Sequence, residues 1–100
     1  MNKGYWVVAY RSVSDEVALK AYSKLARLAI DAGGGTVPVF SMDPTVHEAG
    51  LKQLTVIVEF PSFTLAQQVY DGEAYQAALR ALGSAAERDF RIVEALAPSA

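Results

Sequence analysis

Apolar and polar positions in this chain switch between a period of two and a period of three to four, and the switches mark out its elements. Lys3 to Tyr10 is a run of aromatic and β-branched side chains, among them Tyr5, Trp6, Val7, Val8 and Tyr10, which predicts a buried strand. From about Asp15 the spacing changes, and Ala18, Ala21, Tyr22, Leu25, Leu28, Ala29 and Ala32 form one stripe with Lys20, Lys24, Arg27 and Asp31 off it. That is an amphipathic helix, opened by the side-chain oxygens of Ser12 or Ser14 and by the charges of Asp15 and Glu16. Gly33-Gly34-Gly35 closes it, because glycine enters the left-handed conformation without a Cβ clash. A phosphate-cradling loop runs from strand through glycines into a helix; here the order is reversed, which favours a cap. Thr36 to Phe40 predicts a second strand, at a sheet edge because Pro38 cannot donate to a ladder. Ser41 to Lys52 is turn-rich.

Gln53 to Phe60 alternates most clearly, with Leu54, Val56, Val58 and Phe60 on the face expected under the helices and Thr55, Ile57 and Glu59 on the other. Ser62 predicts the N-cap of a short helix reaching Tyr70, and Asp71-Gly72 breaks it. A further helix is predicted from Glu73 to about Glu87, burying Tyr75, Ala78, Leu79, Leu82, Ala85 and Ala86. Phe90 to Leu96 is the last strand, so residues 1–96 read as one domain and 97–100 as a mobile tail. The order strand, helix, strand, strand, helix, strand defines an α+β, ferredoxin-like βαββαβ fold with the helices on one face of an antiparallel sheet. Tyr5 to Tyr10 leave the first strand no polar face, so the uncovered side of such a sheet would be sticky. A twofold homodimer, pairing two sheets into an α/β barrel, is the expected remedy.

Composition narrows the function classes. A 100-residue chain with 52% hydrophobic and 20% charged residues folds, and without cysteine it has no disulfide, thiolate zinc site or cysteine nucleophile. Its mass predicts about 5,500 Å² of exposed surface for a compact monomer. A net charge of −2 lacks the basic footprint of a nucleic-acid binder. The apolar run near the start is too short to span a membrane and has no signal-peptide pattern, so the expected location is cytoplasmic, with no membrane partner.

Lys3-Gly4-Tyr5-Trp6, Ala32-Gly33-Gly34-Gly35, Val58-Glu59-Phe60-Pro61-Ser62, Tyr70-Asp71 with Glu73-Ala74-Tyr75-Gln76-Ala77-Ala78, and Arg88-Asp89-Phe90 with Ile92-Val93-Glu94 together resemble the domain-of-unknown-function family numbered thirteen-thirty. The resemblance covers nearly the whole chain. It implies a dimeric α/β barrel, a fold shared with small cofactor-free monooxygenases, muconolactone isomerase and YciI-like proteins, and no established reaction. One region departs. Where such proteins usually carry a glycine-rich turn preceded by arginine and then a Glu-Gly pair, this chain has Phe40-Ser41-Met42 and His47-Glu48-Ala49.

Two residues are the catalytic candidates. Glu59 places a carboxylate among apolar strand neighbours, either as a proton-transfer group facing a cavity or as an interface fixture paired with Arg11, Arg88 or Arg91. His47, the single histidine, carries the side chain that titrates nearest neutrality and sits in the turn-rich segment, where a solvated role is the plainer reading. Tyr5, Trp6 and Tyr10 offer apolar area with polar tips for a planar small molecule or a dimer contact. Arg80 would hold a carboxylate ligand or pair with Glu73. No metal site and no cofactor are expected, since one histidine with scattered carboxylates makes a poor ligand set. The expectation is a homodimer with a small-molecule pocket, performing cofactor-free acid–base chemistry on a small carbonyl or aromatic compound. The alternative is a non-catalytic homodimeric binding module.

Overall fold

A computed structural model describes residues 2–97. Past Ala97, the tail expected over 97–100 lies outside the described residues. The elements are β1 (Gly4–Val13), α1 (Glu16–Ala32), β2 (Thr36–Ser41), β3 (Thr55–Phe60), α2 (Phe63–Asp71), α3 (Glu73–Leu82) and β4 (Ala86–Glu94). The four strands form one sheet in the order β2-β3-β1-β4, every pair antiparallel. This is the ferredoxin-like α+β arrangement, with β1 and β3 central and the proline-bearing β2 at an edge.

Local chemistry sets the boundaries. Asp15 caps α1, accepting from the amides of Val17 at 3.0 Å and Ala18 at 3.1 Å, while Ser14 turns instead to the Ala85 carbonyl. Gly34 takes φ +80° behind α1, as the glycine run predicted. Ser62 Oγ accepts from the Leu65 amide at 3.1 Å and opens α2. The last helix is shorter than its apolar stripe suggested. Gly83, at φ +53°, ends α3 after Leu82, so Ala86 and Glu87 belong to β4 and Ala85 to the turn between them. β1 runs three residues past Tyr10, with a register shift against β4 between Tyr10 and Ser12.

Trp6, Val8, Val58 and Phe60 point from the sheet into the core against Tyr22, Ala26, Ala29 and Ile30 of α1, Ala66 of α2, and Tyr75, Ala78 and Leu82 of α3. Trp6 is the hub, its ring centroid 5.0 Å from Phe60, 4.7 Å from Tyr75 and 5.4 Å from Phe90, with Nε1 donating to the Ala66 carbonyl at 2.9 Å. The other sheet face carries no helix. Tyr5, Val7 and Ala9 of β1, Thr55, Ile57 and Glu59 of β3, Asp89, Arg91 and Val93 of β4, and Val39 of β2 share it by register. The protomer is a slab of 46 × 38 × 16 Å. It exposes 6518 Å², nearly a fifth more than the roughly 5,500 Å² expected of a compact monomer of its mass. Among the described residues, no helix is long and apolar enough to cross a membrane.

Candidate functional site

The helix-covered face opens into a pocket of about 110 Å³ between α1 and the sheet. Roughly 300–1,000 Å³ is usual for drug-sized ligands, so the occupant must be small. β1 lends Trp6, Val8 and Tyr10, β3 lends Val56 and Val58, β2 lends Val37 and Phe40, and β4 lends Arg88 and Phe90. Tyr22, Ser23, Ala26, Arg27 and Ile30 of α1 form the roof. One end is apolar, toward Ile30, Val37 and Phe40. The other is where Arg88 stands across from Tyr10 in the β1–β4 register.

Arg88 organises that polar end. Its Nη1 donates to Tyr22 Oη at 2.9 Å and its Nη2 to Tyr75 Oη at 3.5 Å, while the two hydroxyls lie 2.6 Å apart. The guanidinium carbon stands 4.9 Å from the Tyr22 ring centroid, 5.2 Å from Phe90 and 5.5 Å from Tyr10, within cation–π reach of all three. Burial works against its charge, but the oxygens of Tyr22, Tyr75 and Tyr10 outweigh this and hold the guanidinium firmly ionised. Burial is also the main reason that the phenols of Tyr10, Tyr22 and Tyr75 are raised above the ordinary tyrosine value; Arg88 opposes it. All three are neutral at physiological pH and therefore act as hydrogen-bond donors.

An arginine only donates, so both Tyr22 and Tyr75 accept from Arg88. Tyr75 is fully enclosed and shares a hydrogen bond with Tyr22 in which either hydroxyl can donate. Tyr22 lines the pocket, so its hydroxyl can turn to an acceptor inside it when Tyr75 supplies the hydrogen between them.

These shifts have a consequence for stability. A phenol whose folded pKa lies above its unfolded value of 10.0 contributes stability in full below pH 10, and that contribution is lost as pH rises through the folded value. Alkaline titration is expected to show tyrosinate absorbance appearing in two phases, the later one together with loss of the far-UV circular dichroism signal. A single phase near pH 10 with secondary structure intact would contradict the arrangement.

The sequence candidates fall into separate places. Trp6 and Tyr10 line the pocket, but Trp6 is 1% exposed and serves as its floor, so it is neither a surface handle nor a dimer contact. Glu59 and Tyr5 are paired on the open face, where Tyr5 Oη donates to Glu59 at 3.1 Å and Lys3 Nζ stands 3.5 Å away. That hydrogen bond is the chief reason the Tyr5 phenol is raised. Glu59 therefore pairs with Lys3 and Tyr5, not with an arginine. Arg80 lies on the outer surface of α3, bound to Glu73 at 2.7 Å. His47 is exposed in the segment between β2 and β3. Among the described residues no cluster of three or more histidines or carboxylates could hold a metal ion. Arg88 and Tyr22 are the residues at the pocket's polar end that sequence reading passed over as site candidates. The signal was present, for carrying the last strand back two residues from Phe90 puts Arg88 on the inward face.

A four-stranded antiparallel sheet with its helices on one side and a pocket beneath them defines the ferredoxin-like class of α+β proteins. Within it, the chain belongs to the domain-of-unknown-function family DUF1330, whose family model matches residues 3–96. Among solved structures it is similar to RPA0582, a protein of unknown function from Rhodopseudomonas palustris, at 15% identity and TM-score 0.69, covering 97% of this chain and 85% of that one. It is also similar to SnoaB, a cofactor-independent oxygenase from Streptomyces nogalater, at 9% identity and TM-score 0.64, covering 98% and 97%. A dimeric ferredoxin-like protein of unknown function from Thermobifida fusca shares 18% identity at TM-score 0.62, covering 94% and 92%. At these identities the likeness is one of fold. No curated protein sequence matches this one.

Proposed function

We propose that this chain is a homodimeric α/β barrel in which each protomer holds a small carbonyl or aromatic compound between α1 and the sheet and acts on it without a cofactor. The observation that carries the reading is the polar end of an otherwise apolar pocket, with Arg88, Tyr10 and Tyr22 converging on it. Donors fixed in a desolvated site stabilise negative charge that develops on a ligand oxygen, since they need no reorganisation when the charge appears. A neutral tyrosine beside a guanidinium also supplies the proton for such an oxygen. The fold of a cofactor-independent oxygenase is compatible with this reading.

Glu59 takes a different part here. It does not line the pocket, and a second sheet laid on the open face would enclose it with Lys3 and Tyr5. Glu59→Gln is then expected to leave ligand binding in the pocket unchanged and to weaken the dimer on the order of tenfold. Sedimentation of the variant at graded concentrations measures the second effect, and an unaltered dissociation constant would remove Glu59 from the interface. His47 keeps no role in this reading.

The non-catalytic alternative draws on one feature of the site. None of the residues lining the pocket is a carboxylate or a histidine, so none accepts a proton readily near neutrality. Titrating labelled protein with small planar carbonyl and aromatic compounds tests the pocket itself. Chemical-shift changes are expected at Tyr10, Ala26 and Phe90, and changes confined to the open face or absent throughout would overturn it. Compounds that bind there and return unaltered support the module over the enzyme.

A further inference from the structure

Every arginine on the protein's surface has a carboxylate beside it: Arg11 and Arg91 share Asp89, Arg27 pairs with Asp31, and Arg80 with Glu73. Arg88 is the one arginine that is partly buried, and among the described residues no carboxylate lies within 4.0 Å of it. Burial makes an unmatched charge more costly, so the opposite distribution would be expected if Arg88 served stability alone. Its neighbours are neutral hydroxyls and ring faces, which hold a guanidinium in place without cancelling its charge.

We infer that the ligand of this pocket carries a carboxylate, and that Arg88 and Tyr22 bind it while a small aromatic or branched apolar body lies toward Ile30, Val37 and Phe40. The inference rests on the pocket reading above and names the class of compound that fits it. Three features favour a carboxylate over other acceptors. The guanidinium has five N–H groups, of which the tyrosines engage two, leaving donors for a planar anion. Tyr22 adds a neutral hydroxyl at the pocket wall, and it can donate to the anion when Tyr75 supplies the hydrogen between them. The other cation at the pocket, Arg27, is already matched by Asp31, so the site offers one unmatched positive charge, which suits a monoanion better than a phosphate. No carboxylate lines the pocket, so an ammonium group would be left without a partner, which argues against zwitterionic amino acids.

Benzoate and benzamide are nearly the same shape and differ in charge, so the pair tests the inference on the unaltered protein. Titrations followed by amide and arginine side-chain resonances are expected to place both compounds in the pocket, with benzoate bound at least ~10-fold more tightly and the Arg88 signals moving most. Arg88→Gln is expected to bring the two affinities within about threefold of each other, and Arg88→Lys to restore part of the preference through its charge. Equal binding of both compounds by the unaltered protein would overturn the carboxylate assignment while leaving the pocket reading intact. Binding of neither at millimolar concentration would overturn both. A melting curve for each variant separates lost recognition from lost folding, and the comparison on the unaltered protein does not depend on any variant.

Discussion

Trp6→Ala is expected to cost about 3–5 kcal/mol and to lower the melting temperature by tens of degrees, at about 4–8 °C per kcal/mol for a domain of this size. Trp6 sits at the centre of the sheet's inner face, 1% exposed, in ring contact with Phe60, Tyr70, Tyr75 and Phe90. These rings come from β3, α2, α3 and β4, so removing the indole leaves a cavity bordered by four elements, which cannot all close on it at once. A domain has only about 5–15 kcal/mol of net stability, and a loss of this size takes a large part of it. Trp6→Phe separates the contributions. It keeps most of the ring packing and removes the hydrogen bond to the Ala66 carbonyl, so it is expected to cost about 1–2 kcal/mol and remain folded. Thermal denaturation followed by far-UV circular dichroism measures both. A Trp6→Ala variant melting within a few degrees of the parent would mean that the aromatic cluster is not the keystone of this core.

The fold was legible because its strongest signals are local. The aromatic and β-branched run of β1, the stripe on α1, the glycines behind it and the alternation in β3 each follow from contacts within a few residues. The end of α3 was misread for the same reason. Ala85, Ala86 and Glu87 are good helix formers and the two alanines continue its stripe, so propensity outweighed the single glycine at position 83, whose positive φ turns the chain into β4. That error hid the site. With the strand begun at Phe90, Arg88 falls at a helix–strand junction, whereas in its true register it faces the core opposite Tyr10. Glu59 attracted notice because a charge within an apolar strand stands out locally. Tyr22 and Tyr75 both looked like core, and they are packed in it; what no spacing reveals is that α1 and α3 bring their hydroxyls together over Arg88 from positions 53 residues apart. The Arg88–Tyr22 bond spans 66 residues. Such a cluster is a product of topology, and becomes visible only when the crossover is closed.

Ile57→Asp is expected to convert a dimer into monomers without unfolding them. Ile57 lies at the middle of the open face, opposite Val7 on β1 and Val39 on β2, and is only partly buried in the isolated protomer. An aspartate there meets water in the monomer and costs it little. In a dimer whose sheets face each other, the same carboxylate would be taken out of water at the middle of the contact, at several kcal/mol per site and twice over by symmetry. The dissociation constant should therefore rise by at least ~10³-fold, since each 1.4 kcal/mol is a factor of ten. The surplus surface of the slab gives the reason to expect a dimer at all. A stable interface buries about 800 Å² per partner, and an uncovered sheet face with Val7, Ala9, Val39, Ile57 and Val93 on it supplies area of that order. Light scattering and sedimentation on both proteins decide the matter, with circular dichroism as the control for folding. A parent protein that is monomeric at high micromolar concentration would show that the open face needs no second copy. A variant that stays dimeric would place the contact elsewhere, on α1 where Val17 and Leu28 are exposed or on the segment carrying Met42 and Leu51. The pocket lies on the opposite side of the sheet from Ile57, so ligand binding by monomeric Ile57→Asp would show that each protomer carries a complete site.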